Sequence, residues 1–327
     1  MLTLRSVFIR FRRIILIIIF IILIILSTLI GVLDINLKDL ILLNKESWNY
    51  YLYFRVPRTL SIVLSASGIA VSGLIMQQIT KNKFISPTTG GTISASKLGM
   101  LIGLLFLGNQ SLVTRLSFSF IFALGFSILF IFILNRIKFN NIIYVPLIGM
   151  MYGSIISSFT NFIASSNNLL QTVQSWDVGS FSLLVKGRYE LLFIIIIPVV
   201  LSIIFSTRFS IVGFGEDFSK NLGINYRLTV FIGLLLVSLV SSITYIMVGP
   251  LPFLGLIIPN IVRMYYGDNI KRSIIDIMLI SSIFILICDI LSRLIRYPYE
   301  LPISFISGFI GGIIFLIILF KNKHEKN

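Results

Sequence analysis

Long apolar runs divided by short polar breaks set the pattern of this chain. Ile14–Leu33, Leu60–Ile79, Thr92–Leu107, Leu116–Leu134, Ile142–Ala164, Leu191–Phe205, Leu228–Met247, Phe253–Met264, Ile274–Ile290 and Ile303–Phe320 carry few charges. Runs of about 20 apolar residues match the hydrocarbon thickness of a bilayer. In lipid every backbone amide and carbonyl needs an internal partner, so only helices and closed barrels can span. Continuous runs of this length, without period-two alternation, select helices. The pattern predicts an all-α polytopic membrane protein with about ten transmembrane helices. Two are short or broken, near residues 98 and 258. The second is the more telling. Gly249-Pro-Leu-Pro-Phe-Leu-Gly-Leu-Ile-Ile-Pro-Asn-Ile-Val-Arg263 interrupts a span with prolines, glycines and an arginine. Broken backbone at membrane depth persists only when packed in protein or facing a watery path, so transport is the first expectation.

Composition agrees. The chain is 57% hydrophobic and 12% charged, with mean hydropathy +1.01. Soluble domains carry about 25% charged residues. No water-soluble surface can be built from so little charge, and one bundle of 327 residues is expected. Its parts are a membrane region 14–320, a cytoplasmic loop 208–227 and a cytoplasmic tail 321–327.

The net charge of +15 reflects orientation rather than nucleic-acid binding, because the basic residues sit in short loops between apolar spans. Arg5, Arg10, Arg12 and Arg13 precede the first run. An uncharged stretch of this length with no small-residue cleavage site is expected to be a first span, not a signal peptide. Lys81, Lys83, Arg136, Lys138, Arg208, Lys220, Arg227, Arg263, Lys271, Arg272, Lys321, Lys323 and Lys326 then fall on the same side. Both termini are therefore expected in the cytoplasm. The outer side keeps Lys38, Lys45, Arg55, Arg58, Arg115, Lys186, Arg188, Arg293 and Arg296, more than orientation requires. Lys97 is not placed by this scheme. Cys288 is the only cysteine and His324, in the tail, the only histidine. Disulfides within the chain and a histidine metal cluster are excluded, and no cofactor is expected.

Three local patterns carry chemistry. Arg55 and Arg58 flank Pro57 at the outer mouth of the second helix. At that spacing both can point outward as a landing site for carboxylates, so reversing both charges is expected to weaken docking without loss of expression. Asp289 and Arg293 are four apart and can pair on one helix face. Gly213–Tyr226 is the longest polar inner loop. Glu216 and Asp217 suit the first turn of a short helix, with Leu222 and Gly223 at its end. Phe218 and Leu222 would give it a small apolar face for a cytoplasmic partner. Gly99 with Gly103, Gly149 with Gly153 and Gly308 with Gly312 have the spacing of close helix contacts. No phosphate-binding loop occurs, since no Gly is followed by Lys. An ATP-driven process would need its ATPase on another chain.

Together these motifs resemble the FecCD-type permeases, the membrane subunits of ABC importers for ferric siderophores, haem and vitamin B12. Arg55-Val-Pro-Arg58 is similar to that family's entry to helix two. Ser72-Gly73 with Gln77, Asn82 and Pro87, then Trp176-Asp-Val-Gly179-Ser180, follow in order. Gly215-Glu216 through Leu222-Gly223, the Gly249–Arg263 stretch and Glu300-Leu301-Pro302 complete the series. Lys81, Lys83, Asn260 and Ser304 depart from the family's usual Arg, Pro, His and Gly.

The resemblance implies a type II ABC importer permease that pairs with a second permease, homo- or heterodimeric. It implies cytoplasmic ATPase subunits below and an extracytoplasmic binding protein above. Arg55, Arg58 and Arg293 would receive the binding protein. Gly215, Glu216, Asp217, Phe218, Leu222 and Gly223 would couple to the ATPase. Gln77, Asn82, Pro87, Gly255, Pro259 and Asn260 would line or gate the path. An iron–siderophore chelate crossing the bacterial plasma membrane is the expected cargo, with haem or cobalamin as alternatives. An ion-coupled transporter is the rival of another class, and would want ionisable groups deep in the membrane. A membrane enzyme would need a convergent catalytic set, and none is visible.

Overall fold

The computed structural model describes residues 2–31, 44–108, 111–137, 144–267 and 269–324. Lys38, Lys138, the expected span start at Ile142 and the end of the expected tail lie outside them. Thirteen helices in chain order make up the fold of the described residues. They are α1 (Leu2–Leu29), α2 (Lys45–Ile79, with a π-helical turn at Tyr51–Arg55), α3 (Thr92–Leu107), α4 (Leu112–Arg136) and α5 (Tyr144–Ser166). Then come the short α6 (Leu170–Ser175), α7 (Ile196–Ile204, entered through a 3-10 stretch Tyr189–Ile195), α8 (Ser206–Val212) and α9 (Glu216–Asn221). Last are α10 (Tyr226–Met247), α11 (Leu254–Tyr266), α12 (Ile270–Leu294) and α13 (Ile303–His324).

Each expected apolar run falls on a helix, and the count of ten is approximate. Six helices are long and apolar enough to cross a membrane alone: α1, α2, α4, α5, α10 and α12. A seventh results if Tyr189–Ile204 and α8, bent by 64° at Phe205, count as one span. The other three runs are α3, α11 and the apolar part of α13, which are shorter. Their starts show why. Gly91 opens α3 at φ 76°, and Phe253 opens α11 at φ 62°. Both are left-handed conformations that interrupt a helix.

The centre is α2, which packs on α10, α11 and α12. Of its most apolar window 83% is buried, against 11% for α1, which lies at the periphery against α12. Along α2 the buried small residues Ser61, Ser65, Ala66, Ala70, Ser72 and Gly73 let neighbouring backbones approach. Three of its serine hydroxyls bond within the helix. Ser61, Ser65 and Ser67 donate to the carbonyls of Pro57, Ser61 and Val63 one turn back, at 2.6–2.7 Å. α3 forms a second layer with α4 and α5. A Cβ on Gly99 would stand 2.5 Å from the Phe118 carbonyl, and one on Gly149 2.3 Å from that of Thr89. Those two glycines are close-packing positions, as expected. Gly312 has open space around it, so the third pair is not a close contact within the chain.

Candidate translocation site and its charge networks

A groove of about 630 Å³ runs between α5, the loop joining α2 to α3, and the start of α11. Ser86, Thr88 and Thr89 come from the loop, Ser94 from α3, and Ser154, Ser157, Ser158 and Asn161 from α5. Met150, Phe253 and Leu256 supply apolar surface, and among the described residues no charged side chain lines it. Hydroxyls and an amide can bond a polar solute in many orientations, and without a fixed charge none holds it tightly. A path needs that balance between entry and release. Sequence reading missed these residues, although the signal was present. Ser154, Ser157, Ser158 and Asn161 recur at i, i+3, i+4 and i+7, a polar stripe on one face of an apolar helix.

The six path candidates taken from the sequence line a different place. They gather where α2, its following loop and α11 cross, and none of them lines the groove. Gln77 Nε2 donates to the Leu256 carbonyl at 3.4 Å, and Asn260 Nδ2 donates to the carbonyls of Lys83 and Leu256, both at 2.8 Å. Asn82 Oδ1 accepts from the Phe84 amide at 2.9 Å, and the Pro87 carbonyl accepts from Thr92 at 3.1 Å. Pro259 lies inside α11 and has no N–H for the Gly255 carbonyl one turn back. That carbonyl is pressed on Gly73, where a Cβ would meet it at 1.9 Å. These residues hold the loop to the broken helix. Gln77 and Asn82 also face a cytoplasmic cavity of about 160 Å³ beside Lys81, Gly213 and Arg263.

The outer arginines do not project as free charges; each is engaged by neighbouring groups. Arg55 is buried, and its Nη1 donates to the Ile30 carbonyl at 2.6 Å. Arg293 is buried too. It donates to the carbonyls of Ser27, at 2.9 Å, and of Ile30, and pairs with Asp289 at 2.6 Å. The physical reason is the end of α1. Its last carbonyls have no helical partner, and cations are favoured at a helix C-terminus. Arg58 is engaged by Asp289 and Glu300, both at 2.7 Å. The Asp289–Arg293 pair read from spacing is present, but it is enclosed rather than open to the outer interface.

A second network closes the other end of α1. Asp276, fully buried, accepts from Arg12 at 3.0 Å, from Arg13 at 2.7 Å and from the Tyr266 hydroxyl. Lys97, unplaced by the sequence, is buried in α3 and pairs with Asp177 at 2.5 Å, while the Tyr245 hydroxyl donates to the same carboxylate at 3.0 Å. Beside Asp177, Ser180 donates its amide to Val248 and Gly179 accepts from Ile303, so this segment ties the ends of α10 and α13.

The longest polar inner loop has the expected short helix. α9 starts at Gly215 (φ 117°) and is followed by Gly223 (φ 72°). Glu216 pairs with Lys220 at 2.9 Å, which holds its carboxyl below the usual carboxylate value. Phe214, Phe218 and Leu222 are exposed, so the segment presents three large apolar side chains outside the bundle.

Comparison with known proteins places this arrangement in a class, membrane permeases of ABC importers. Residues 18–321 match the model of the FecCD transport family, and the chain belongs to that family. It is 48% identical over 297 residues to the petrobactin import system permease protein YclN of Bacillus subtilis, covering 91% of this chain and 94% of that one. It is 36% identical over 278 residues to the ferric-anguibactin transport system permease protein FatD of Vibrio anguillarum, covering 85% and 88%. In fold it matches a metal-chelate type ABC transporter solved in an inward-facing conformation, with TM-score 0.78 and 24% identity over 94% of this chain and 97% of that one. The protein is thus a multi-pass permease of the bacterial plasma membrane.

Proposed function

We propose that the chain carries a ferric siderophore of the petrobactin kind inward, driven by a separate ATPase. The observation that carries this is the 48% identity with a petrobactin import permease along nearly the whole of both chains. The groove supports it, since a hydroxyl-lined wall without charge suits a bulky polar chelate that must be released. In one permease the groove is open rather than enclosed; a second permease set against α5 would close it. α9 with Phe218 and Leu222 is the ATPase contact, where Gly215 and Gly223 set its ends and Glu216 and Asp217 its first turn. The extracytoplasmic binding protein docks over the outer arginine network, with Arg58 as the reachable cation and Arg55 and Arg293 holding the network beneath it.

The buried carboxylates weigh against ion coupling. Asp276 and Asp289 are each held by two arginines, so neither is free to take up a coupling ion. The test is uptake in a strain lacking its own permease, supplied with this chain, its ATPase and its binding protein. Ferric petrobactin should accumulate, and haem and cobalamin should not. Accumulation of either of those in place of the siderophore would overturn the substrate reading.

A further inference from the structure

The outer network sets three guanidinium groups, of Arg55, Arg58 and Arg293, against two carboxylates, of Asp289 and Glu300. The two acids are not equivalent. Asp289 is fully enclosed and shared by Arg58 and Arg293. The Glu300 side chain is 23% exposed, and Arg58, its partner, is 12% exposed. Arg58 uses Nε and Nη2 on Asp289, at 3.2 and 2.7 Å, and only Nη1 on Glu300, at 2.7 Å. That third donor is therefore held by the more exposed of the two acids.

We propose that Glu300 stands in for a carboxylate of the binding protein. It occupies Arg58 while the outer face is vacant and yields that donor when the partner arrives. The inference rests on the docking reading given above. Exchanging one solvent-accessible carboxylate for another on the same guanidinium replaces like with like, so it costs little. Glu300 is also one of the ties of the turn 295–302. Others include the Leu301 amide on the Ser292 carbonyl at 3.0 Å and the Ile303 amide on the Gly179 carbonyl at 2.9 Å. Release of Glu300 loosens that turn at the head of α13, next to the segment whose Ser180 amide meets Val248 at 2.8 Å, just before the backbone break that leads into α11. Docking is thereby joined to the broken helix through named contacts.

The test uses the whole transporter, permease with its ATPase, in lipid nanodiscs, titrated with the cognate binding protein at several ionic strengths. Glu300→Gln keeps a hydrogen-bond acceptor for Arg58 but removes the competing charge. It should tighten docking by about fivefold at low salt, the gain shrinking as salt rises. Arg58→Gln should weaken docking, and Glu300→Gln should then have no further effect. If Arg58→Gln fails to assemble as a monodisperse complex, Arg58→Lys, which keeps the charge but loses the fork, replaces it. Weakened docking on Arg58 substitution, with Glu300→Gln neutral or weaker, would overturn the stand-in and leave the docking reading intact. Unchanged docking in every Arg58 variant would remove the docking reading itself.

Discussion

At the scale of the residue, the sharpest constraint is Gly73. Pro259 leaves the Gly255 carbonyl without its helical donor, and α2 comes close enough to cover that oxygen only because residue 73 has no side chain. Gly73→Ala should destabilise the protein by about 1–3 kcal/mol, the usual cost of overpacking. Gly312→Ala, placed in open space, should stay within about 0.5 kcal/mol. Chemical unfolding in detergent measures both, and equal effects would contradict the crossing described here. Arg55 teaches a related lesson. From sequence its reversal looked harmless to folding. In the structure Arg55→Glu sets a carboxylate against the Ile30 carbonyl in a buried place. Folded yield should fall, with about 3–5 kcal/mol lost, as for breaking a buried charged contact. A normal yield of stable protein would show that Arg55 is not committed to the end of α1.

At the scale of the element, α9 and α5 were legible to different degrees. α9 was readable because its signals are local: a glycine before it, acids in its first turn, a basic residue in its last and a glycine beyond. Lys220, first by its hydrogen bond and then by its charge, depresses the Glu216 carboxyl. A depressed folded value means that this contribution to helix stability is present above the ordinary carboxylate value and fades only as pH falls below it. Amide protection over residues 216–221 should follow that course, and Glu216→Gln should flatten it. Leu222→Ala should lower uptake per ATP hydrolysed without lowering hydrolysis itself, and unchanged coupling would reject α9 as the ATPase contact. The stripe on α5 was equally visible in the chain. The chain alone does not separate its two roles, because serines in a span can also be satisfied by their own helix: Ser154 donates to Met150 at 2.9 Å. Only the open groove in front of the stripe tells the two roles apart.

At the scale of the whole molecule, the two ends of α1 are held by charge. Arg12 and Arg13 grip Asp276 at one end, and Arg55 and Arg293 bind the last carbonyls at the other. Between them α1 shows mostly isoleucine to the outside. In lipid, apolar contact gives such a helix little reason to stay, so hydrogen bonds and small-residue packing must fix its place. On the proposed function, an ATPase on another chain drives the solute uphill. Reconstituted alone in vesicles the chain should accumulate no ferric siderophore, and adding the ATPase and the binding protein should restore uptake. Uphill uptake by the single chain would refute the ATP-driven reading.

The sequence by itself determined the class: lipid admits only helices for apolar runs of this length, and six ordered motifs narrowed these helices to one family of permeases. It also determined where α9 begins and ends, because capping acts between near neighbours. What it left open was decided by tertiary structure. Whether an arginine at a helix mouth faces water or a neighbouring helix depends on which orphan carbonyls and carboxylates lie within reach, and for Arg58 these come from residues more than two hundred positions away. Burial raises the cost of leaving such groups unpaired, so packing, not spacing along the chain, drew Arg58 to Asp289 and Glu300.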